Sequence, residues 1–314
     1  MKVLVTGASG FIGKNILLAF PADWNITATY YRDESFPDFL VKQNLTHVKS
    51  LQIDLTDGAA MSALGNNSYD ACVYLAANGD PAYSDHAPME DLQSNAVALL
   101  NVVTAWRFGH FIFFSSGAVY DGLQGPVNPE SQLNPVLPYA ISKWASERYI
   151  MYALEKKHIQ YASILRFFGA YGSYDPARKI YNRLIRQFAF EKNAHFLIRG
   201  DGSNLIDAMY IEDTVRAVQM LLKQAKKTQV MDLCSGTPVT LKNLVTQSAK
   251  EFGLEAEIKY EGEVPEAIEF LSNDQTMEKE FGFKPKVTLS EGLQRFHQWL
   301  VSEESGARVI SPST

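Results

Sequence analysis

The first thirteen residues constrain the fold more than any other stretch. Lys2–Val5 is a short apolar, strand-like run. It leads into Thr6-Gly7-Ala8-Ser9-Gly10-Phe11-Ile12-Gly13, with glycines spaced three and three. From Gly10 to Phe20 the apolar residues Phe11, Ile12, Ile16, Ala19 and Phe20 recur close to a helical period. A turn between strand and helix that lets another group approach its backbone needs glycine, which has no Cβ to clash. The free N–H groups and dipole at the helix start can then hold a pyrophosphate. A glycine triplet alone is weak evidence, but a strand before it and a helix after it are the confirming context. The turn therefore predicts a dinucleotide held by Gly7, Ser9, Gly10, Phe11, Ile12 and Gly13.

The alternation continues. Strands are expected at Ile26–Tyr30, Lys49–Ile53, Ala71–Leu75, Phe111–Phe114 and Tyr161–Arg166, with helices at Asp91–Trp106 and Tyr139–Leu154. This order builds a parallel sheet covered by helices on both faces. Ligands of such sheets bind at the carboxyl ends of the strands. The second half is less regular. Lys179–Glu191, Asp213–Lys226, Leu241–Phe252 and Leu289–Val301 read as helices and Gln229–Leu233 as a strand. Pro126–Pro138 carries four prolines and is expected to be a loop and candidate lid. The polar tail Ser302–Thr314 is expected to fray.

At 314 residues the chain has room for about two domains. A cofactor domain is expected at 1–170, receiving further segments from about 207–240. A smaller substrate domain is expected at 171–206 and 241–301. Net charge is −6, from 29 basic and 35 acidic residues. That balance points away from nucleic acid and from an anionic membrane surface. Cys72 and Cys234 lie in apolar runs and read as free buried thiols. The scattered histidines give no metal-ligand spacing. No signal-like segment or long apolar span is apparent, so a cytoplasmic location is expected.

The end of the second strand bears on the choice of cofactor. An acidic residue is usual there when the ribose carries a free 2′-hydroxyl. Here the run is Thr29-Tyr30-Tyr31-Arg32, and Arg32 could pair with a 2′-phosphate, so NADP is favoured, with NAD the alternative. Asp33 and Glu34 follow closely and blur the signal.

Tyr139 and Lys143 are four residues apart on an expected helix and so share a face. A phenol with pKa about 10 is roughly 0.1% ionised at neutral pH. A neighbouring ammonium favours the phenolate, and a three-unit shift corresponds to about 4 kcal/mol. Such a tyrosine can pass a proton to or from an alcohol oxygen while hydride moves at the carbon. The fifth strand ends in Ser115-Ser116-Gly117-Ala118-Val119-Tyr120, placing two hydroxyls where ligand is expected.

With these residues the chain resembles the extended short-chain dehydrogenase/reductase family, which includes nucleotide-sugar epimerases, dehydratases and reductases. The resemblance rests on Thr6–Gly13, Asp54-Leu55, Leu75-Ala76-Ala77, Asn95, Ser115–Tyr120, Tyr139–Lys143, Leu165-Arg166-Phe167-Phe168, Gly200–Asp213 and Phe281-Gly282-Phe283-Lys284-Pro285. It implies an α/β fold with a doubly wound Rossmann sheet and a smaller α/β substrate domain. It also implies Ser116 as the catalytic hydroxyl, Tyr139 as acid/base, and Lys143 on the nicotinamide ribose. Tyr30, Asp54 and Leu55 would flank the adenosine. Leu75, Ala76, Ala77, Asn95 and Ser115 would line the groove, and Phe167 and Phe168 would lie at the nicotinamide end. A homodimer through the two long helices is implied as well.

Three departures narrow the reaction. Gly117 and Ala118 stand where sugar 4,6-dehydratases carry Asp-Glu, which argues against elimination. Gly169 replaces an asparagine that touches substrate. Ile206 replaces an arginine that grips a diphosphate, and a lost bidentate fork is not neutral. Lys179, Arg183 and Arg186 share a helix face and could take over that grip. With Ser116, Gly117, Tyr139 and Gly169 they complete the expected substrate contacts. The expectation is hydride transfer at C4 of a nucleotide sugar, leaning to a 4-keto-sugar reductase. A 4-epimerase, a reductase of a non-nucleotide carbonyl compound and a non-catalytic dinucleotide sensor are the alternatives.

Overall fold

The computed structural model describes residues 1–263 and 268–305. Seven strands form one sheet: β1 (Lys2–Thr6), β2 (Asn25–Tyr30), β3 (Val48–Gln52), β4 (Ser68–Tyr74), β5 (Arg107–Ser116), β6 (Ile159–Phe167) and β7 (Gln229–Leu233). They lie in the order β7-β6-β5-β4-β1-β2-β3, every pair parallel. The order reverses between β1 and β4, and the crevice at that reversal is where such sheets take ligands.

The strands are apolar on both faces because both faces are covered. Val3 and Val5 face one core with Ile112 and Phe114, while Leu4 faces the other with Phe111 and Phe113. The first core is closed by α1 (Phe11–Ala19), through Ile16 and Leu17, and by a C-terminal-half helix, Ile211–Gln224, through Val215, Val218 and Leu221. The second is closed by two long helices. One, α2, runs Pro88–Leu92, a π-turn Gln93–Val97 and Ala98–Ala105, and buries Leu99, Val102 and Val103. The other, α3 (Pro138–Glu155), buries Ile150 and Ala153.

Sequence and structure differ in instructive places. β5 is ten residues long, because its start, Arg107-Phe108, pairs with Ser68 and Tyr69 of β4 and its end with β6. Phe36–Lys42, Gly58–Ala63 and Pro81–His86 are helices too short to show a period. The proline-rich segment is not loop throughout. Gly125–Val127 pairs with Phe270–Ser272, and Val127 is buried with Val119, Tyr120 and Phe270. One end of the expected lid is therefore pinned to the second half of the chain. Ser302–Ser305 completes the last helix, Leu289–Ser305, and the rest of the expected tail lies outside the described residues. Cys72 and Cys234 are both free, the first buried. Among the described residues no helix is long and apolar enough to cross a membrane.

Candidate active site

The glycine turn sits at the carboxyl end of β1, beside the end of β4. Thr6 Oγ1 accepts from the N–H groups of Leu75 and Ala76 at 3.0 and 3.2 Å, tying the two strand ends together. Ala8 N–H donates to Thr29 O of β2 at 2.9 Å. Gly7 has φ +63°, and a Cβ there would stand 2.8 Å from Ala76 N. A Cβ on Gly13 would stand 2.7 Å from Ala8 Cα and O. The chain is packed as tightly as glycine allows. At Gly10, the N-cap of α1, no side chain caps the helix and no acid lies in the first turn. Its leading N–H groups are thus left for an anion, and the cradle fits a dinucleotide pyrophosphate. Ser9, Phe11 and Ile12 are half-buried along its rim, and Ala77 is exposed on the facing wall.

At the end of β2, Tyr30 packs on Phe36 with ring centroids 5.1 Å apart. Arg32 is exposed and lies over the Tyr31 ring, its guanidinium carbon 4.9 Å from the centroid. Asp33 is held by Ser35 Oγ at 2.6 Å and Lys14 Nζ at 3.4 Å. Burial pushes its pKa up, but the Ser35 hydrogen bond and the Lys14 charge outweigh that and hold it below the ordinary value. Asp54 accepts from Thr56 N and Oγ1 at 2.9 and 2.7 Å. Leu55 is buried and its carbonyl takes a hydrogen bond from Asn101 Nδ2 at 2.9 Å.

Ser116 ends β5, and its Oγ accepts from Ala118 N at 3.1 Å. Tyr139 opens α3, its N–H donating to Ser84 Oγ at 3.1 Å. Burial raises the pKa of the Tyr139 phenol and the charge of Asp91 adds to that, against a hydrogen bond with Ser116 that lowers it. The expected acidification by Lys143 is not what the protein groups produce. Lys143 is 4% exposed; its ammonium donates to the Phe114 carbonyl at 2.5 Å and stands 4.4 Å from the Phe113 ring centroid. It points at the strand end rather than pairing with the phenol. Burial lowers its pKa to about 8, with Glu147 and Asp91 opposing.

The two serines separate. Ser115 Oγ donates to Glu147 Oε1 at 2.5 Å, beneath the site, so only Ser116 presents its hydroxyl beside Tyr139. Successive strand residues point to opposite faces, which is the reason. Glu147 in turn takes Arg166 Nε at 3.2 Å and Nη2 at 3.0 Å. Arg166 Nη1 reaches Tyr120 Oη at 3.1 Å and the Pro129 carbonyl at 3.2 Å. Tyr120 donates to Asp232 at 2.7 Å, and Ser272 donates to the other Asp232 oxygen at 2.6 Å. Sequence reading missed this buried chain, because its members are brought together only by the fold.

Asn95 is also buried rather than facing open space. Its Oδ1 accepts from Asn78 N at 2.7 Å, and its Nδ2 donates to Asp91 and Ser142 at 3.0 and 2.9 Å. It sits in the π-turn of α2, a distortion often found at functional sites.

On the far wall Phe167 packs edge-on against Phe114 at 5.3 Å. Phe168 covers Gly117, where a Cβ would lie 3.2 Å from its ring. Gly169 has φ +130°, and a Cβ there would meet Ala208 Cβ at 3.4 Å. The three basic residues do not act as one cluster. Lys179 is exposed at the start of the Ile180–Ile185 helix, and Arg183 lies 5.6 Å from the Phe196 ring centroid. Arg186 is engaged by Asn182 Oδ1 at 2.9 Å and Glu304 at 2.8 Å. Between them and β6 the chain spans the crevice. Ser173 and Asn15 of α1 exchange hydrogen bonds at 2.8 and 3.0 Å, and Arg178 meets Asp80, beyond β4, at 3.0 Å.

Known proteins are similar to this chain over nearly its whole length. A putative UDP-glucose 4-epimerase of Methanocaldococcus jannaschii is 26% identical over 313 residues, covering 95% of this chain and 98% of that protein. The dTDP-glucose 4,6-dehydratase of Streptomyces niveus is 25% identical, covering 95% and 92%. Among solved structures, a UDP-glucuronic acid 4-epimerase mutant from Bacillus cereus in complex with NAD superposes with a TM-score of 0.84 at 22% identity, over 96% of this chain and 100% of that one. RMD from Pseudomonas aeruginosa complexed with NADPH superposes at 0.80 and 22% identity, over 96% and 99%. The model of the NAD dependent epimerase/dehydratase family matches residues 3–234, and the chain belongs to that family.

Proposed function

We propose that this chain is a nucleotide-sugar 4-epimerase that works with a retained NAD. The observation that carries the reading is the meeting of Ser116 and Tyr139 at the crevice mouth, on the same strand ends as the glycine cradle. A bound nicotinamide dinucleotide supplies the hydride acceptor and donor. Tyr139 removes the proton from the sugar O4 and returns it, while Ser116 holds that oxygen in line. Lys143, Phe167 and Phe168 border the nicotinamide end, and Tyr30, Asp54 and Leu55 the adenosine.

Elimination is disfavoured by packing as well as by residue type. With Phe168 over Gly117, a carboxylate side chain there would have to push the ring aside. The segment bonded to Asn15 on one side and to Asp80 on the other supports retention of the cofactor, which an epimerase needs through its cycle and a reductase must give up. Asp33, kept ionised beside β2, favours a free 2′-hydroxyl over a 2′-phosphate, and hence NAD. Residues 171–206 and 241–301 supply the sugar-holding lobe, and its exposed Lys179 and Arg183 are the cations offered to a diphosphate. A second copy of the chain covers Met89, Leu92 and Val97 of α2 and Ile141, Trp144 and Tyr152 of α3, which are exposed on neighbouring helices.

The second reading, a 4-keto-sugar reductase, rests on Arg32. Purification separates the two. An epimerase releases near-stoichiometric NAD on denaturation and is stabilised against heat by uridine or thymidine diphosphate. A protein that emerges empty and gains stability from NADPH alone is the reductase.

A further inference from the structure

Asp91 is fully shielded from solvent, where a charge must be satisfied or is costly. Both oxygens are used, and by neutral donors. Oδ1 accepts from Asn95 Nδ2 at 3.0 Å and Asn78 Nδ2 at 2.8 Å, and Oδ2 from Ser142 Oγ at 2.5 Å. Each donor belongs to a different wall of the site. Asn78 lies in the loop after β4, Asn95 in the π-turn of α2, and Ser142 on α3 between Tyr139 and Lys143. Among the described residues no lysine or arginine forms an ion pair with Asp91.

The residue after the Ser142 that Asp91 holds is the cation Lys143, buried against the Phe113 ring and the Phe114 carbonyl. β5 gives it no charged group. α3 gives it Tyr139 and Glu147, and Glu147 is already bidentate to Arg166 of β6. α2 gives it Asp91. Burial without a counter-charge drives the pKa of an ammonium down.

We propose that Asp91 is a positioning residue, the counter-charge that keeps Lys143 an ammonium while its three hydrogen bonds lock the Tyr139–Lys143 turn to the loop after β4. The inference rests on the reading of Lys143 as the group that grips the dinucleotide. Burial brings Lys143 down to about 8 while Glu147 and Asp91 hold it up. Without the charge on Asp91, Lys143 deprotonates nearer neutrality and the grip fails at lower pH.

NADH binding, followed by fluorescence from about pH 6 to pH 9.5, tests this with the wild type, Asp91→Asn, Asp91→Ser and Lys143→Met. Asp91→Asn should bind within about twofold of wild type at pH 6, about fivefold more weakly at pH 8 and about tenfold more weakly at pH 9.5, its midpoint about one unit lower, since affinity that needs a proton falls tenfold per unit above the midpoint. Asp91→Ser should follow it, and Lys143→Met should abolish the pH dependence in either background. A loss by the same factor at every pH, or a curve matching the wild type, overturns the proposal. If neither Asp91 variant folds, 13C NMR of the lysine Cε groups in the wild type decides. Lys143 must be an ammonium at pH 7, and a neutral amine overturns the proposal. A wild type that binds no dinucleotide at any pH sinks the cofactor reading instead. The Lys143 titration, compared between wild type and Asp91→Asn, then tests Asp91 without ligand.

Discussion

At the scale of single residues, labour is divided between a phenol and an ammonium. Tyr139→Phe removes the proton carrier and leaves the cradle intact. It should cut kcat about 10²- to 10⁴-fold while dinucleotide affinity, measured by titration, stays within about threefold. Lys143→Ala should lower both. Equal affinity losses in the two variants would contradict the division. These residues were legible because their signal is local: a four-residue spacing on a helix, and a hydroxyl at a strand end. Asp91, Glu147 and Arg166 were not legible. Asp91 and Ser142 are 51 positions apart, and Glu147 and Arg166 are 19 apart, so their meaning exists only after folding. The same holds for the direction of the Tyr139 shift. Helical spacing put Lys143 on its face, but packing sent the ammonium to the Phe114 carbonyl instead.

At the scale of elements, the glycine turn carries the tightest constraint. Gly13→Ala places a methyl 2.7 Å from backbone atoms of Ala8 that cannot swing away. It should cost about 1–3 kcal/mol in urea unfolding and weaken dinucleotide binding in parallel. Unchanged stability would show that α1 can move off the turn. On the opposite face, Trp144→Glu puts a charge on the apolar surface of α3. Light scattering should show a dimer for the wild type and a monomer for the variant, and a wild-type monomer would remove the proposed interface. The strands were readable from sequence because burial on both faces makes them continuous apolar runs, as in Ala71–Tyr74 and Phe111–Phe114. Most strands of the second half were missed: several have only two or three residues and carry no period, and His195–Arg199 and Glu257–Glu261 pair only with each other, about sixty positions apart. Gly125–Val127 gains its strand character only from Phe270–Ser272, far along the chain.

At the scale of the whole molecule, the sheet holds a titration in its centre. His110 on β5 is buried, its Nε2 2.9 Å from Ser163 Oγ and its Nδ1 without a partner among the described residues. Burial lowers its pKa to about 4, and the Lys226 charge adds to this. Between about 6.5 and 4 the unfolded chain takes up a proton that the folded chain refuses, so this group's stability is present above 6.5 and lost as pH falls. The loss amounts to about 3 kcal/mol. Asp175 and Asp232 act oppositely. Burial raises them to about 7 and about 6, so each destabilises the fold at neutral pH and is relieved on acidification. The His110 part is therefore read as a difference. Stability of wild type minus His110→Asn should fall by about 3 kcal/mol from pH 7 to pH 4, and parallel curves would refute the assignment. The central claim joins the two ends of the crevice, the glycine cradle and the Ser116–Tyr139 pair, in one reaction. It is tested most directly by NMR of UDP- and dTDP-hexoses and UDP-hexuronates incubated with the purified protein and NAD. At least one sugar should equilibrate with its C4 epimer without net NADH, and Tyr139→Phe should slow this at least about a hundredfold. A protein that epimerises none of them yet consumes NADPH with a 4-keto sugar would contradict it.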